Sequence, residues 1–81
     1  MIRPVIHVDF GNADKLGRPR LSTVGAQRDI AEQKVTLKEG LEIIASDHED
    51  FQATGSVTYN ENERRWVFVM NDEGLTPISE V

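Results

Sequence analysis

The sequence feature that most constrains the fold is a strict alternation of apolar and polar residues from Phe51 to Tyr59. Alternation with a period of two is typical of a β-strand with one buried face. A polar turn and an apolar run from Arg64 to Met70 follow, so the sequence predicts an antiparallel hairpin with Trp66 across from Tyr59. Gly55, in the middle of the first strand, predicts a bulge or a sharp bend.

Two further segments are predicted as strands. Residues 2–10 have β-branched residues at period-two spacing, and Pro4 places this strand at an edge of the sheet or marks its start. The segment from Leu41 to Ser46 alternates in the same way and follows a predicted turn at 38–40. Short strands separated by turns at regular spacing are typical of small antiparallel sheets and barrels.

Only one stretch, at about residues 25–34, has the spacing of a helix. Ala26 and Ile30 lie four residues apart and form a narrow apolar stripe. Thr23 is the expected N-cap, and Lys34 in the last turn would interact favourably with the helix dipole. The predicted fold is therefore α+β and mainly β, with a small, strongly bent antiparallel sheet or barrel and one short helix, in a single domain that covers residues 1–81.

Residues 35–70 resemble the pattern of Src-homology-3-like small β-barrels. The resemblance rests on an extended segment from Val35 to Ile44, then Gly55-Ser56-Val57-Thr58-Tyr59, a polar turn and Trp66-Val67-Phe68-Val69. It implies a binding scaffold, and such scaffolds carry many unrelated functions. The members that bind proline-rich peptides need a cluster of aromatic residues with acidic loops. Tyr59 and Trp66 are the only tyrosine and tryptophan here, so proline recognition is not implied.

Composition excludes several classes of protein. A chain of 81 residues buries a small core, and this chain has no cysteine, which removes disulfide frameworks, thiolate metal sites and thiol catalysis. Without disulfides, a cytoplasmic location is expected. The longest apolar run, from Trp66 to Met70, is too short to cross a membrane, and the N-terminal residues lack the apolar stretch of a signal peptide.

Charge is divided unevenly along the chain. Residues 1–38 contain seven basic and four acidic side chains, whereas residues 39–81 contain two basic and ten acidic ones, and the formal net charge is −5. A negative net charge disfavours general binding of nucleic acid, because phosphate backbones repel it. Attraction between the two halves explains the division, and a local anion site in the N-terminal half is the alternative.

Two basic segments are candidate binding sites. The loop Lys15-Leu16-Gly17-Arg18-Pro19-Arg20 carries three cations, and arginine forks suit carboxylate or phosphate groups. A pair of arginines also precedes Trp66, and arginines beside a stacking aromatic residue are one means by which small barrels bind single-stranded nucleic acid. The alternatives are a solvated or internally paired loop, and a Trp66 that packs in the core against Tyr59. The candidate binding residues are Lys15, Arg18, Arg20, Arg64 and Arg65.

No segment has the pattern of a catalytic or metal site. Asp9-Phe10-Gly11 matches a kinase tripeptide that functions only inside a much larger domain. The loop Asp47-His48-Glu49-Asp50 has ligand types suited to a divalent ion but lacks the spacing of a calcium loop, so a solvated turn is expected. His7 is expected to be a structural histidine. We therefore expect no enzymatic activity, no cofactor and no metal.

The expected function is that of a small binding module with a protein partner that the sequence does not name. A nucleic-acid-binding barrel that uses the five cations is the alternative, disfavoured by the negative net charge. Self-association is a further expectation, because Val67 and Val69 lie on the strand face opposite Trp66, Phe68 and Met70, and a small sheet has one interior. The leftover apolar row favours a homodimer. No membrane partner is expected.

Overall fold

The computed structural model describes residues 3–78, which form five strands and one helix. The elements are β1 (Val5–His7), α1 (Val24–Glu32), β2 (Glu42–Ser46), β3 (Phe51–Asn60), β4 (Arg65–Met70) and β5 (Thr76–Pro77). This confirms the predicted mainly-β α+β class. The strand predicted over 2–10 is reduced to three residues, and the first residue of that prediction, Ile2, lies outside the described range.

The sheet has the strand order β1-β2-β3-β4, and β5 also pairs with β3. As predicted, β2, β3 and β4 pair antiparallel, but β1 pairs with β2 in parallel, with Ile6 opposite Ala45. The prediction of a wholly antiparallel sheet is therefore wrong at this pair. A parallel pair needs a long crossover connection, and residues 8–41, which include α1, provide it. Within residues 3–78 the sheet is open and does not close into a barrel.

One face of the sheet carries the hydrophobic core. Ile6 of β1, Ile43 of β2, Val57 of β3 and Phe68 of β4 are fully buried there, and α1 buries Ala26 against the same face. Removing such a side chain from water stabilises the fold by about 1.5–3 kcal/mol. Within residues 3–78 this buried cluster comprises Ile6, Val8, Leu21, Ala26, Ile43, Ala45, Ala53, Val57 and Phe68.

Gly55 is required by close packing, and of the two features predicted there, a bulge or a sharp bend, the bulge is wrong. Its register with Ile43 on β2 and Met70 on β4 is regular, without an extra residue. A Cβ at this position would overlap the carbonyl oxygen of Val69 and lie 2.8 Å from the ring of Phe68. Since Phe68 is fully buried, glycine makes room for a large side chain of the core.

Helix α1 begins and ends at defined caps. Thr23 Oγ1 accepts a hydrogen bond from the backbone N–H of Ala26 at 3.2 Å, which confirms the predicted N-cap. At the other end the N–H of Val35 donates to the carbonyl of Ile30 at 2.9 Å, and Lys34 has a φ of +55°. This is a Schellman arrangement, in which a left-handed residue ends the helix. Lys34 therefore follows the helix, which corrects the predicted boundary of 25–34.

The strand β4 carries apolar residues on both faces, as expected. Tyr59 and Trp66 pair across β3 and β4, with ring centroids 5.1 Å apart at 72°. The sequence predicts that Val67 needs cover from a second chain, but Val67 is fully buried within one chain. Arg20 forms an antiparallel β-bridge with it at the outer edge of β4. Val69 is 36% exposed. The apolar row that favours a homodimer is reduced to one residue, and self-association stays a prediction.

Candidate functional site

The outer edge of β1 is occupied by a side chain of α1 and by that of its C-cap residue, Gln33. Asp29 Oδ2 accepts a hydrogen bond from the backbone N–H of His7 at 2.7 Å, and Gln33 Nε2 donates to the carbonyl of Val5 at 2.8 Å. These two residues are four apart, a spacing that places them on the same side of a helix. Unpaired groups at a sheet edge are a template for another strand, so this capping removes two groups that a partner strand would need.

The outer edge of β4 is covered in part by residues 19–21. The N–H of Phe68 donates to the carbonyl of Pro19 at 2.8 Å, and the N–H of Leu21 donates to the carbonyl of Trp66 at 3.0 Å. The remaining strand, β5, has only two residues, and one of them is a proline without an N–H to donate. The faces of this sheet are therefore more accessible to a partner than its edges are.

A groove with an apolar floor lies beside β1. It consists of two hollows of about 500 and 820 Å³, which share Arg3, Pro4, Val5 and Leu41 in their walls. We call this surface the β1 groove: its floor is Pro4, Val5, Val35, Leu41 and Ile44, and its rim is Arg3, Lys34, Lys38 and Glu42. Both hollows are open to solvent, so a ligand can reach the floor from outside.

Two left-handed residues shape the chain around the β1 groove. Lys34 follows α1 at φ +55°, and Gly40 at φ +82° forms the turn before β2. In this turn the N–H of Leu41 donates to the carbonyl of Lys38 at 3.1 Å. Leu41 and Val35 pack against the core while they line the groove. Contact with the core therefore holds these two residues of the floor in place.

The rim of the β1 groove is basic, although the protein has a net charge of −5. Arg3 forms an exposed ion pair with Glu42 at 3.1 Å, of a kind that contributes little to stability. Lys34 and Lys38 are exposed, and neither forms an ion pair with another side chain in residues 3–78. Lys34 lines the smaller hollow and Lys38 lines the larger one. The apolar floor therefore lies beside positive charge that has no direct ion-pair partner in residues 3–78.

The carboxylate of Asp14 anchors the predicted basic loop. The side chain is 1% exposed, and its Oδ1 accepts hydrogen bonds from the N–H groups of Leu16 at 3.0 Å and Arg18 at 2.9 Å. Its Oδ2 accepts from Arg18 Nε at 2.8 Å and from Asn60 Nδ2 at 3.0 Å. Burial alone would raise the pKa of Asp14, but these hydrogen bonds lower it to about 2. The loop is thereby fixed to the end of β3.

Arg20 is bound to the turn between β3 and β4. Its Nε and Nη2 donate to the two carboxylate oxygens of Glu63, each at 2.8 Å, and its Nη1 donates to Asn12 Oδ1 at 2.8 Å. The bidentate contact raises the pKa of Arg20 and lowers the pKa of Glu63. Arg65 Nε lies 3.7 Å from the same carboxylate. The Arg20–Glu63 pair joins the two halves of the chain, as the division of charge predicts.

The candidate binding residues lie at one end of the molecule, which we call the basic end: Lys15, Arg18, Arg20, Arg64 and Arg65. Glu63 lies among them, because it pairs with Arg20 and Arg65 and lines a cleft of about 410 Å³ with Lys15 and Arg18. Three of the five cations are ion-paired with carboxylates. Tertiary structure thus joins the two predicted segments, and it also partly neutralises them.

His7 and His48, far apart in the sequence, stack with ring centroids 5.1 Å apart. Asp29 Oδ2 links them, because it accepts the backbone N–H of His7 and lies 3.2 Å from His48 Nε2. A Cβ at Gly25 would overlap the His7 ring, so glycine lets this ring pack against the first turn of α1. In the part of the chain that the structure describes, no group of three or more acidic or histidine side chains is arranged to hold a metal ion. The pair brings β1, α1 and the loop at 47–50 into contact.

The acidic loop at 47–50 is a closed turn, as predicted. Asp47 Oδ1 accepts hydrogen bonds from the N–H groups of Glu49, Asp50 and Phe51, at 2.8, 2.8 and 3.0 Å. These hydrogen bonds, the one from Phe51 foremost, lower the pKa of Asp47. The carboxylate is engaged by its own loop, which explains why this acidic segment folds as a turn.

No protein-family model, curated protein or solved structure matches the chain significantly. None of the helical segments in residues 3–78 has the length and hydrophobicity of a membrane span. The β1 groove and the basic end are two candidate binding surfaces within residues 3–78. They differ in that the groove combines an apolar floor with unpaired cations, whereas the basic end is largely ion-paired.

Proposed function

We propose that this chain is a non-enzymatic interaction module that binds an extended segment of a partner protein in the β1 groove. The observation that carries the proposal is the apolar floor, where Val5 is 38% exposed and Pro4, Leu41 and Ile44 are only partly buried. Aliphatic groups in a concave surface gain about 25 cal/mol per Å² when a partner removes them from water. A side chain of a partner that enters the groove provides this cover.

The capped edge of β1 favours recognition through side chains over strand addition. Asp29 and Gln33 are hydrogen-bonded to the edge groups of His7 and Val5, so an incoming strand would have to displace both side chains. A ligand in the β1 groove is instead held by apolar contacts to the floor and polar contacts to the rim. Recognition then depends on the side chains of the partner more than on its backbone.

Binding of nucleic acid at the basic end is the alternative function, and the observations favour it less. Arg18, Arg20 and Arg65 would have to leave carboxylate partners in order to contact phosphates. Tyr59 and Trp66, which could stack on bases, contact each other edge to face, and Trp66 also packs against the core. The net charge of −5 further opposes attraction to phosphates.

Selection of displayed random peptides against the folded chain, followed by mapping of the contact surface by NMR, tests the proposal. Isotope-labelled protein is titrated with each selected peptide, and we expect amide shift changes at Val5, Lys38, Leu41 and Ile44. The substitution Val5→Ser should weaken binding about tenfold, since it removes exposed apolar area from the floor.

Leu16→Ser is the matched control, because Leu16 is an aliphatic residue that is 76% exposed in the loop of the basic end. It should leave the affinity unchanged, and circular dichroism with thermal unfolding verifies that both variants are folded. The proposal is wrong if selected peptides shift the amides of the basic end, or if Leu16→Ser weakens binding as much as Val5→Ser does.

A further inference from the structure

We infer that the segment held in the β1 groove is an acidic peptide with an aliphatic side chain as its anchor. The inference rests on the proposed function, since it names the chemistry of the ligand for the same groove. The apolar floor receives the anchor, and the cations of the rim attract the carboxylates that flank it.

The charges around the β1 groove run against those of the protein as a whole. The chain has 14 acidic and 9 basic side chains, yet the rim contains three cations, Arg3, Lys34 and Lys38, and one carboxylate, Glu42. Because Glu42 is paired with Arg3, the two lysines carry charge that nothing in residues 3–78 compensates by direct pairing. A basic peptide is repelled here, whereas an acidic peptide meets a cation at each hollow.

An acidic peptide suits the β1 groove better than a strand of nucleic acid does. The floor residues Pro4, Val5, Val35, Leu41 and Ile44 are all aliphatic, so they offer no aromatic ring on which a base could stack. A leucine, isoleucine or valine side chain matches such a floor, because burial of aliphatic area on both sides stabilises the complex.

Three synthetic peptides of about ten residues, which reach roughly 30 Å when extended, test the inference. Each has a central leucine, and its neighbours are glutamates in the first peptide, glutamines in the second and lysines in the third. NMR titration of the full chain measures both the affinity and the place of binding. We expect the glutamate peptide to bind the β1 groove about tenfold more tightly than the glutamine peptide at low salt, with the difference shrinking as salt rises. The lysine peptide should bind most weakly.

Charge-removing variants assign the effect to the rim. Lys34→Gln combined with Lys38→Gln should weaken binding of the glutamate peptide about fivefold and leave binding of the glutamine peptide unchanged. Lys15→Gln, which neutralises an exposed lysine of the basic end, is the matched control and should change neither affinity. All three lysines are exposed, so the variants should fold, and thermal unfolding verifies this.

The outcomes separate this inference from the proposed function. Equal binding of the glutamate and glutamine peptides in the β1 groove overturns the inference and leaves the proposed function intact, whereas selected peptides that bind elsewhere overturn both. If a single-stranded oligonucleotide binds more tightly than the glutamate peptide and shifts the amides of the groove, the ligand is nucleic acid and the inference is wrong. If the chain alone dimerises in light scattering and Val5→Ser abolishes the dimer, the occupant is a second copy and the inference is wrong.

Discussion

Removal of the charge of Asp14 should reveal how strongly the anchored basic loop stabilises the fold. The substitution Asp14→Asn keeps the size of the side chain but removes the negative charge that Arg18 contacts at 2.8 Å. It also replaces one of the two acceptor oxygens by an NH2 group, so the donors of that oxygen lose their acceptor: either the backbone N–H groups of Leu16 and Arg18, or the side chains of Arg18 and Asn60. We expect a lower free energy of unfolding at neutral pH.

The pKa of Asp14 sets the size of this effect and its dependence on pH. Folding lowers the pKa from 3.8 to about 2, which corresponds to roughly 2 kcal/mol of stabilisation. Because the folded pKa is the lower one, the stabilisation is fully present well above 3.8 and is lost as the pH falls through about 2. Asp14→Asn should therefore cost about 2 kcal/mol at about pH 7, and about half as much near pH 3.

Urea unfolding at several pH values, followed by the fluorescence of Trp66, measures the free energy of unfolding of each variant. Asp72→Asn is the matched control, because Asp72 is an exposed aspartate in the turn after β4, and it should change stability by less than about 0.5 kcal/mol. If Asp14→Asn costs the same free energy near pH 3 as near pH 7, the reasoning is refuted, since the cost would then come from packing and not from charge.

Backbone geometry and exposure support three more predictions. Gly55→Ala should lower the free energy of unfolding by about 3 kcal/mol, because the new Cβ overlaps the carbonyl oxygen of Val69; urea unfolding within about 0.5 kcal/mol of wild type would contradict this. Lys34→Gly should raise the free energy of unfolding by about 1 kcal/mol, because glycine adopts the left-handed φ of +55° without strain. An unchanged or lower urea midpoint would contradict this prediction. Self-association should be weak, since Val67 is buried within one chain. Light scattering measures the mass of the particle, and a mass that stays at 9.1 kDa at high protein concentration would exclude the homodimer.

The hairpin of β3 and β4 could be predicted because its pattern is local. The alternation from Phe51 to Tyr59 determines which face is buried, and a short turn limits the registers that the returning strand can adopt. The contact of Tyr59 with Trp66 follows from this register. Helix α1 is predictable for the same reason, since Thr23 and the first turn that it caps are neighbours in the sequence.

The candidate sites could be predicted only in part. The five cations of the basic end are recognisable from composition, but their pairing with Asp14 and Glu63 depends on how the loop packs against β3 and β4. The β1 groove has no local pattern, because its floor and rim come from the segments 3–5, 34–35, 38–42 and residue Ile44. The excess of basic residues in the N-terminal half was the one sequence signal that pointed towards it.

The sequence by itself determined the hairpin of β3 and β4, the N-cap of α1 and the charge of each half, because hydrophobic periodicity, caps and turns depend on residues that are close together in the chain. Only the tertiary structure decided that β1 lies parallel to β2, that His7 stacks on His48, and that Arg20 binds Glu63. These contacts depend on which elements become neighbours when the chain buries its apolar faces together. The arrangement of the elements depends on the free energy of burial and the chain entropy summed over the whole domain. It therefore cannot be predicted from any short stretch of sequence.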